Sequence, residues 1–303
     1  MDKTHDEKWL SWYQQFDTHH GANKRSEWYS DSTVAYRWSR PRYPQSLVAQ
    51  VLAQAQLSGQ ISGQISDQIS DQISEPSSLL EIGCGPGIAT ESFAEKGLRI
   101  VAIEPSKAAC ELAKKSCSNS ESVTIINSTF EQYDLNKQQY DAVLAATSFH
   151  WVSPDIACAK SAAALKPGGS LILLWATPPQ PDAALSEQLQ PIYDRYDLSD
   201  LSEGQQRSRT YYQQSFEHLA SIVNQSGFFQ PSSVTIETHH STYSIEKYLA
   251  LLSTLSPYIA IEEQKRESLL VALGDRLSEI LETGALETTH WFAAQIAPLK
   301  ASA

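Results

Sequence analysis

The sequence has few of the residues on which disulfide or zinc frameworks depend. Its four cysteines, at positions 84, 110, 117 and 158 of 303, show no Cys-x-x-Cys spacing. Small secreted disulfide scaffolds and structural zinc sites need denser or more regular cysteines. We therefore expect reduced thiols, no bound metal and a cytoplasmic location.

Positive charge is also scarce. The chain has 23 lysine and arginine residues against 35 acidic ones, which gives a formal net charge of −12 at pH 7 and an isoelectric point near 5.1. Phosphate backbones and anionic membranes repel such a chain unless a local basic patch compensates. No run of basic residues exceeds a pair, so we expect no nucleic-acid and no membrane partner. The oligomeric state stays open.

Long apolar runs are absent. The run at 171–176 is far shorter than the roughly 20 residues of a membrane-spanning helix, and residues 1–7 are too polar for the core of a signal peptide. A hydrophobic share of 41% with 19% charged residues is typical of a globular protein with a substantial core. We expect a soluble protein.

Segments of distinct composition surround or interrupt the main domain. Residues 1–43 are rich in aromatic side chains and are predicted to form an N-terminal cap segment ahead of a domain over 44–303. Residues 56–75 repeat a Gln-Ile-Ser unit with a period of four, which we interpret as a low-complexity surface insertion whose order stays open. The segments 177–226 and 245–283 are predicted to be helical cap elements.

From Ser78 onward, short apolar runs alternate with helical patterns. Five runs are predicted as buried strands, at 79–82, 100–103, 123–126, 142–146 and 170–175. Strands that alternate with helices form a parallel, doubly wound sheet. Two further strands, at 232–242 and 286–296, are predicted to pair antiparallel beyond it. The sequence thus predicts an α/β, Rossmann-like sheet of seven strands, mostly parallel with an antiparallel last strand, and helical cap insertions.

A glycine-rich turn follows the first predicted strand directly. Gly83, Gly85 and Gly87 stand at alternate positions, Glu81 precedes them, and Glu104 ends the next strand 23 positions after Glu81. Glycines let the backbone turn sharply and let a ligand approach it, at the sheet edge where ligands bind. A carboxylate at the place of Glu104 can accept hydrogen bonds from both ribose hydroxyls. The pattern indicates a nucleoside-containing cofactor.

Two classes of cofactor share this arrangement. Dinucleotide enzymes usually carry Gly-x-Gly-x-x-Gly, whose third glycine brings the helix close to the pyrophosphate. Here Pro86 lies within the loop, and Ile88 stands where that glycine would fall. S-adenosylmethionine has no phosphate and needs a ribose acceptor, an adenine slot and polar groups for its amino end. The pattern favours S-adenosylmethionine, with an NAD(P)-dependent oxidoreductase as the alternative.

The loop resembles motif I of the class I S-adenosylmethionine-dependent methyltransferases. Residues 128–131 resemble that family's adenine-flanking segment, 140–151 its fourth-strand motif, and 165–171 its turn into the fifth strand. The resemblance covers 78–176 and implies methyl transfer with S-adenosyl-L-methionine as cofactor. The cofactor-binding residues that it implies are Glu81, Gly83, Cys84, Gly85, Gly87, Glu104, Pro105, Thr129, Phe130 and Thr147.

A narrower resemblance extends over most of the chain. The segments 36–44, 148–152 and 241–249 are similar to the trans-aconitate methyltransferase-like branch of the type 11 methyltransferases. This branch implies a small-molecule acceptor, often carboxylated. The substrate-binding residues that we expect are Tyr36, Arg40, Phe149, His150, Trp151 and Tyr243.

The predicted reaction is an in-line displacement at the sulfonium methyl group. His150 is the candidate general base because it follows a strand end and histidine side chains in general can exchange a proton near neutral pH, but orienting the substrate or bonding within its loop are equally open roles. A base is not always needed, since alignment of the reactants supplies much of the acceleration and a carboxylate acceptor carries no proton to remove. A non-catalytic cofactor-binding regulatory module is an alternative, and the acceptor atom stays open.

Overall fold

The computed structural model describes residues 33–59, 75–201 and 207–301. Most of the predicted N-terminal cap segment, residues 1–32, lies outside the described residues, and so does most of the Gln-Ile-Ser tract, residues 60–74. Within the described ranges, no helix is both long enough and apolar enough to cross a membrane.

Among the described residues, two helices precede the first strand, and strands then alternate with helices as the sequence predicts. In chain order the first half contains α1 (Thr33–Ser39), α2 (Gln45–Gln54), β1 (Ser78–Ile82), α3 (Ile88–Ala94), β2 (Arg99–Glu104), α4 (Lys107–Ser116), β3 (Val123–Asn127), β4 (Tyr140–Ala146), α5 (Pro154–Ala164) and β5 (Leu165–Ala176).

The second half is mainly helical and contains two long strands. It contains β6 (Gln180–Pro181), α6 (Ala183–Arg195), α7 (Arg209–Gln225), β7 (Val234–Ser244), α8 (Ile245–Ser253), α9 (Ser256–Ile259), α10 (Glu263–Ile280) and β8 (Ala285–Pro298).

The strands form one sheet in the order β3-β2-β1-β4-β5-β8, with β7 paired to β8 at the outer edge. Strands β1 to β5 are parallel, and β8 runs antiparallel to both β5 and β7. This confirms the predicted mostly parallel sheet with an antiparallel last strand. In the part of the chain that the structure describes, the sheet has eight strands rather than seven, because the two-residue β6 pairs with β8 at Thr288 and Thr289, beyond the end of β5.

Helices cover both faces of the sheet. Residues of α2, α3 and α4 form one apolar layer with the sheet, and residues of α5 and α7 form the other. The central strands are therefore buried on both sides, which explains why they are nearly continuous apolar runs. Helix α7 falls in the predicted cap segment 177–226 but lies on the sheet face, where Phe216 stacks on Trp175 with ring centroids 5.5 Å apart.

A separate helical layer lies over the carboxyl edge of the parallel strands. Helices α6, α8, α9 and α10 share an apolar cluster with the ends of β7 and β8. The pairing of β5 with β8 ends at Phe292, whereas β7 and β8 stay paired as far as Ser244 and Ala285. These two strands carry the helical layer beyond the sheet edge, and α1 packs against α8 there.

Candidate functional site

The glycine loop has an open side and a packed side. Gly83, Gly85 and Gly87 all have positive φ, at +64°, +55° and +86°, a region that favours glycine. A Cβ atom at Gly83 would lie 2.8 Å from the Cβ of Ser148, whereas no atom lies within 4 Å of one at Gly85. Packing therefore requires glycine at position 83, and position 85 faces space in which a ligand can approach the backbone.

Glu104 is bonded to the glycine loop as well as standing at the expected ribose position. One of its carboxylate oxygens accepts a hydrogen bond from the N–H of Gly85 at 2.9 Å, and the other from the N–H of Ser106 at 2.8 Å. Burial raises the pKa of this carboxyl, and the two N–H donors counteract the rise. Each carboxylate oxygen can accept a second hydrogen bond, so ribose hydroxyls can still bind here.

Glu81 is fully buried beneath the loop. Its Oε2 accepts a hydrogen bond from the hydroxyl of Thr90 at 2.7 Å, and its Oε1 has no partner among the described residues. Burial raises the pKa of the carboxyl to about 7, with the Thr90 bond lowering it and the charge of Glu104 raising it further. A buried oxygen without a partner is costly, and an ammonium group is a donor that would satisfy it.

The turn after β4 is strained, and Tyr43 from the segment before α2 contacts it. Thr147 has a φ of +56°, which is unusual for a β-branched residue and costs on the order of 1–3 kcal/mol. Its N–H donates to the carbonyl of Leu174 at 2.7 Å, and its hydroxyl lies 2.9 Å from that of Tyr43. Strained residues of this kind cluster at ligand sites. The sequence did not point to Tyr43 for this role.

The remaining predicted cofactor residues differ in how far they face the ligand edge. Cys84 and Phe130 are buried in the two apolar layers, while Pro105 is exposed beside Glu104. The hydroxyl of Thr129 accepts a hydrogen bond from the N–H of Gln132 at 3.2 Å. A residue that sequence reasoning missed is Asn127, whose amide donates to the carbonyls of Glu104 and Pro105, both at 2.9 Å.

A cavity of about 470 Å³ lies at the same edge, between α1, β7 and α8. Ile88, which begins α3 directly after the glycine loop, lines one side. Of the predicted substrate residues, Arg40 and Tyr243 line the cavity, and Tyr36 lies next to it, with its ring centroid 4.6 Å from the guanidinium of Arg40. Tyr243 donates a hydrogen bond to the carbonyl of Ser39 at 3.2 Å.

The other three predicted substrate residues lie elsewhere. Phe149, His150 and Trp151 form a short 3-10 helix after β4. Phe149 is buried in an apolar layer, and the rings of His150 and Trp151 lie 5.1 Å apart. None of the three lines the cavity.

Several basic residues at the cavity were missed. Arg37, Arg42, His239 and Lys247 line it together with Arg40. The three arginines between positions 37 and 42 were a visible signal in the sequence, but nothing there placed Lys247 or His239 beside them.

Comparison with known proteins identifies the core of the chain. Residues 80–173 match the family model of the methyltransferase domain. These residues, less than half of the chain, form a methyltransferase domain. The match is to the S-adenosylmethionine-dependent family, as the sequence motifs predict, whereas the narrower trans-aconitate branch stays a prediction.

Curated relatives match over about a third of the chain. An uncharacterised methyltransferase of Mycobacterium tuberculosis is 34% identical over 99 residues, which are 33% of this chain and 40% of the relative. A ubiquinone biosynthesis O-methyltransferase of Vibrio vulnificus is 34% identical over 94 residues, 30% of this chain and 40% of the relative. The matched part thus spans about 40% of the length of these relatives.

The fold has a counterpart among solved structures. A candidate type II methyltransferase from Anaeromyxobacter dehalogenans aligns with 86% of this chain and 97% of its own, with a TM-score of 0.57 at 19% sequence identity. At this identity the likeness shows that the fold of the methyltransferase domain is shared.

Proposed function

We propose that the chain transfers a methyl group from S-adenosylmethionine to a small-molecule acceptor. The observation that carries the proposal is the glycine loop, open at Gly85 and flanked by two buried carboxylates, Glu81 and Glu104. A dinucleotide would place a pyrophosphate at the start of α3. There Gly87 packs instead against Ala113, with the Cβ position 3.1 Å from the Ala113 Cα.

Each flanking residue has a task that suits this cofactor. Glu104 would accept the ribose hydroxyls and at the same time hold the N–H of Gly85. The Oε1 atom of Glu81, which lacks a described partner, would accept from the amino group of the methionine end. When bound, the cofactor supplies an activated methyl group. The chain's contribution is to bind it and to align the acceptor with it.

The acceptor would occupy the cavity beside Ile88. Its volume of about 470 Å³ falls within the range of about 300–1,000 Å³ that is usual for small-molecule sites. A carboxylate acceptor would need no base. For a hydroxyl or amine acceptor, His150 remains the candidate base, although it does not line the cavity, and a base must reach the proton that it removes.

Calorimetry with S-adenosylmethionine, S-adenosylhomocysteine and NAD(P)H tests the cofactor. We expect both adenosyl compounds to bind and the nicotinamides not to bind. Binding of the nicotinamides alone would instead support an oxidoreductase.

Turnover is tested by incubating the protein with methyl-labelled S-adenosylmethionine and an extract of small metabolites. We expect label in a low-molecular-weight product. Cofactor binding without a labelled product in any extract would support the regulatory module and contradict the proposed activity.

A further inference from the structure

The cavity between α1, β7 and α8 concentrates positive charge in an acidic protein. Arg37 and Arg42 both contact the same oxygen of Glu91 at 3.0 Å, so one negative charge faces two positive ones. Arg40 is held differently, by Thr254. Its Nε donates to the Thr254 hydroxyl and its Nη2 to the Thr254 carbonyl, both at 3.0 Å.

Two of these charges have no carboxylate partner in the described part of the chain. Neither Arg40 nor Lys247 forms an ion pair there, and none of the described residues that line the cavity is an aspartate or glutamate. The ammonium of Lys247 lies 5.2 Å from the ring centroid of Tyr243. The carboxylate of Glu287 accepts a hydrogen bond from the lining hydroxyl of Thr242, but it is exposed to solvent.

The guanidinium of Arg40 is fixed before any ligand arrives. Its two bonds to Thr254 and the face of Tyr36 hold it in place, and an arginine has five N–H donors. Donors therefore remain for a ligand, and the entropy of ordering the side chain has already been lost. This arrangement favours a planar anionic group.

A buried histidine behind the cavity wall is a second, independent observation. His290 is fully buried, and neither ring nitrogen makes a hydrogen bond of normal geometry to a described residue. Its ring centroid lies 5.7 Å from that of Tyr243 and 6.0 Å from that of Phe292, and both of those rings line the cavity. A buried ring nitrogen without a well-formed hydrogen bond is costly, so a polar group that reached it would be favoured.

Part of the remaining wall is apolar and aromatic. Trp38 lines the cavity with 48% of its surface exposed, and Pro41, Ile88 and Phe292 add apolar surface. The charges of Arg40 and Lys247 belong to the side of the helical layer, since Arg40 is tied to Thr254 and Lys247 lies on α8. Ile88 marks the opposite side, next to the glycine loop.

We propose that the cavity binds a small organic acid with an apolar body, whose anionic group lies on Arg40 and Lys247 while the body lies against Trp38 and Phe292. This acid is the methyl acceptor, so the inference rests on the proposed function. The anionic group is an anchor on the side of the helical layer, and a different group of the same molecule faces the glycine loop. A carboxylate and a phosphate both satisfy this chemistry.

The test is isothermal titration of the full chain with three probes of similar size: cinnamate, phenyl phosphate and the uncharged cinnamyl alcohol. We expect at least one acid to bind ten-fold or more tightly than the alcohol, and which acid binds distinguishes a carboxylate from a phosphate anchor. Raising the salt concentration should weaken acid binding and leave the alcohol unchanged.

Variants locate the anion. Lys247→Gln and Arg40→Gln should each weaken acid binding about ten-fold or more without changing alcohol binding. Lys115→Gln is the matched control, because Lys115 is exposed on α4 and does not line the cavity. Arg40→Gln also removes the contacts with Thr254, so Lys247→Gln, whose ammonium has no described ion pair, is the decisive variant.

Three results would each overturn the inference. They are equal binding of acid and alcohol, no acid binding at millimolar concentration, and unchanged acid binding in Lys247→Gln. A parallel titration with S-adenosylhomocysteine separates the two proposals. If S-adenosylhomocysteine binds and the acids do not, only the acceptor inference fails. If the acids bind and S-adenosylhomocysteine does not, the proposed cofactor is wrong.

Discussion

At the scale of the residue, the carboxylate of Glu104 joins the glycine loop to the expected ribose position. Glu104→Ala removes a charged acceptor of hydrogen bonds, worth about 1.5–3 kcal/mol. We therefore expect the affinity for S-adenosylhomocysteine to fall about 10- to 150-fold in calorimetry. Glu111→Ala is the control, since Glu111 is an exposed acid on α4 that pairs with Lys114. An unchanged affinity in Glu104→Ala would contradict the ribose assignment.

Two glycines of the loop are expected to respond differently to the same added methyl group. Gly83→Ala and Gly85→Ala share the cost of a positive φ, about 1–2 kcal/mol. Only at Gly83 would the Cβ also lie 2.8 Å from Ser148. We expect Gly83→Ala to lower the thermal unfolding midpoint more than Gly85→Ala does. Relative to its loss of stability, Gly85→Ala should lose more affinity for the cofactor than Gly83→Ala does. Calorimetry and thermal unfolding check this, and equal losses of stability would contradict it.

At the scale of the element, the segment before α2 and the turn after β4 are linked by one hydroxyl pair. Tyr43→Phe removes the bond to Thr147 but keeps the edge-on contact with Phe292, whose ring centroid is 5.8 Å away. We expect the free energy of unfolding to fall by about 1 kcal/mol. The control is Tyr196→Phe, which removes an exposed bond to the carbonyl of Ser268. Denaturant titrations measure this loss of unfolding free energy. A loss no larger than that of the control would show that the hydrogen bond between Tyr43 and Thr147 does not stabilise the fold.

The order of the helices and strands was predictable because local sequence patterns indicate each of them. Buried strands are apolar runs, and the acids around the loop stand at strand ends, so both could be found without the fold. Helix α7 shows where such patterns stop. Phe216, Ala220 and Val223 form an apolar stripe, which predicts an amphipathic helix, but only the packing on Trp175 shows that it covers the sheet.

The acceptor cavity was less predictable because it depends on distant segments. Arg40 meets Thr254 across 214 positions of sequence, and Lys247 and His239 come from α8 and β7. Their convergence follows from how the helical layer packs, which no local spacing encodes. His290 had no signal in the sequence at all, because a histidine in a strand becomes unusual only when burial leaves both ring nitrogens without a hydrogen bond of normal geometry.

At the scale of the whole molecule, two buried groups give the stability opposite pH dependences. Burial raises the pKa of Glu81 from 4.5 to about 7, so the folded protein keeps a proton that the unfolded chain releases between these values. Folding stability from this group therefore falls as pH rises through the window. For His290, burial and the charges of His239, Arg40 and Lys247 lower the pKa from 6.5 to about 4, and the backbone of Thr177 counteracts part of the fall.

The unfolded chain thus binds a proton that folded His290 refuses, and stability from this group falls as pH drops from 6.5 to 4. The two effects overlap and oppose each other between pH 4.5 and 6.5, each with a slope of up to about 1.4 kcal/mol per pH unit. Denaturant titrations between pH 5 and 6.5 separate them. Relative to the native chain, the unfolding free energy of Glu81→Gln should rise more steeply with pH, and that of His290→Gln should fall. The double variant should return to the native slope, whereas parallel curves for all four proteins would show that neither group titrates as described.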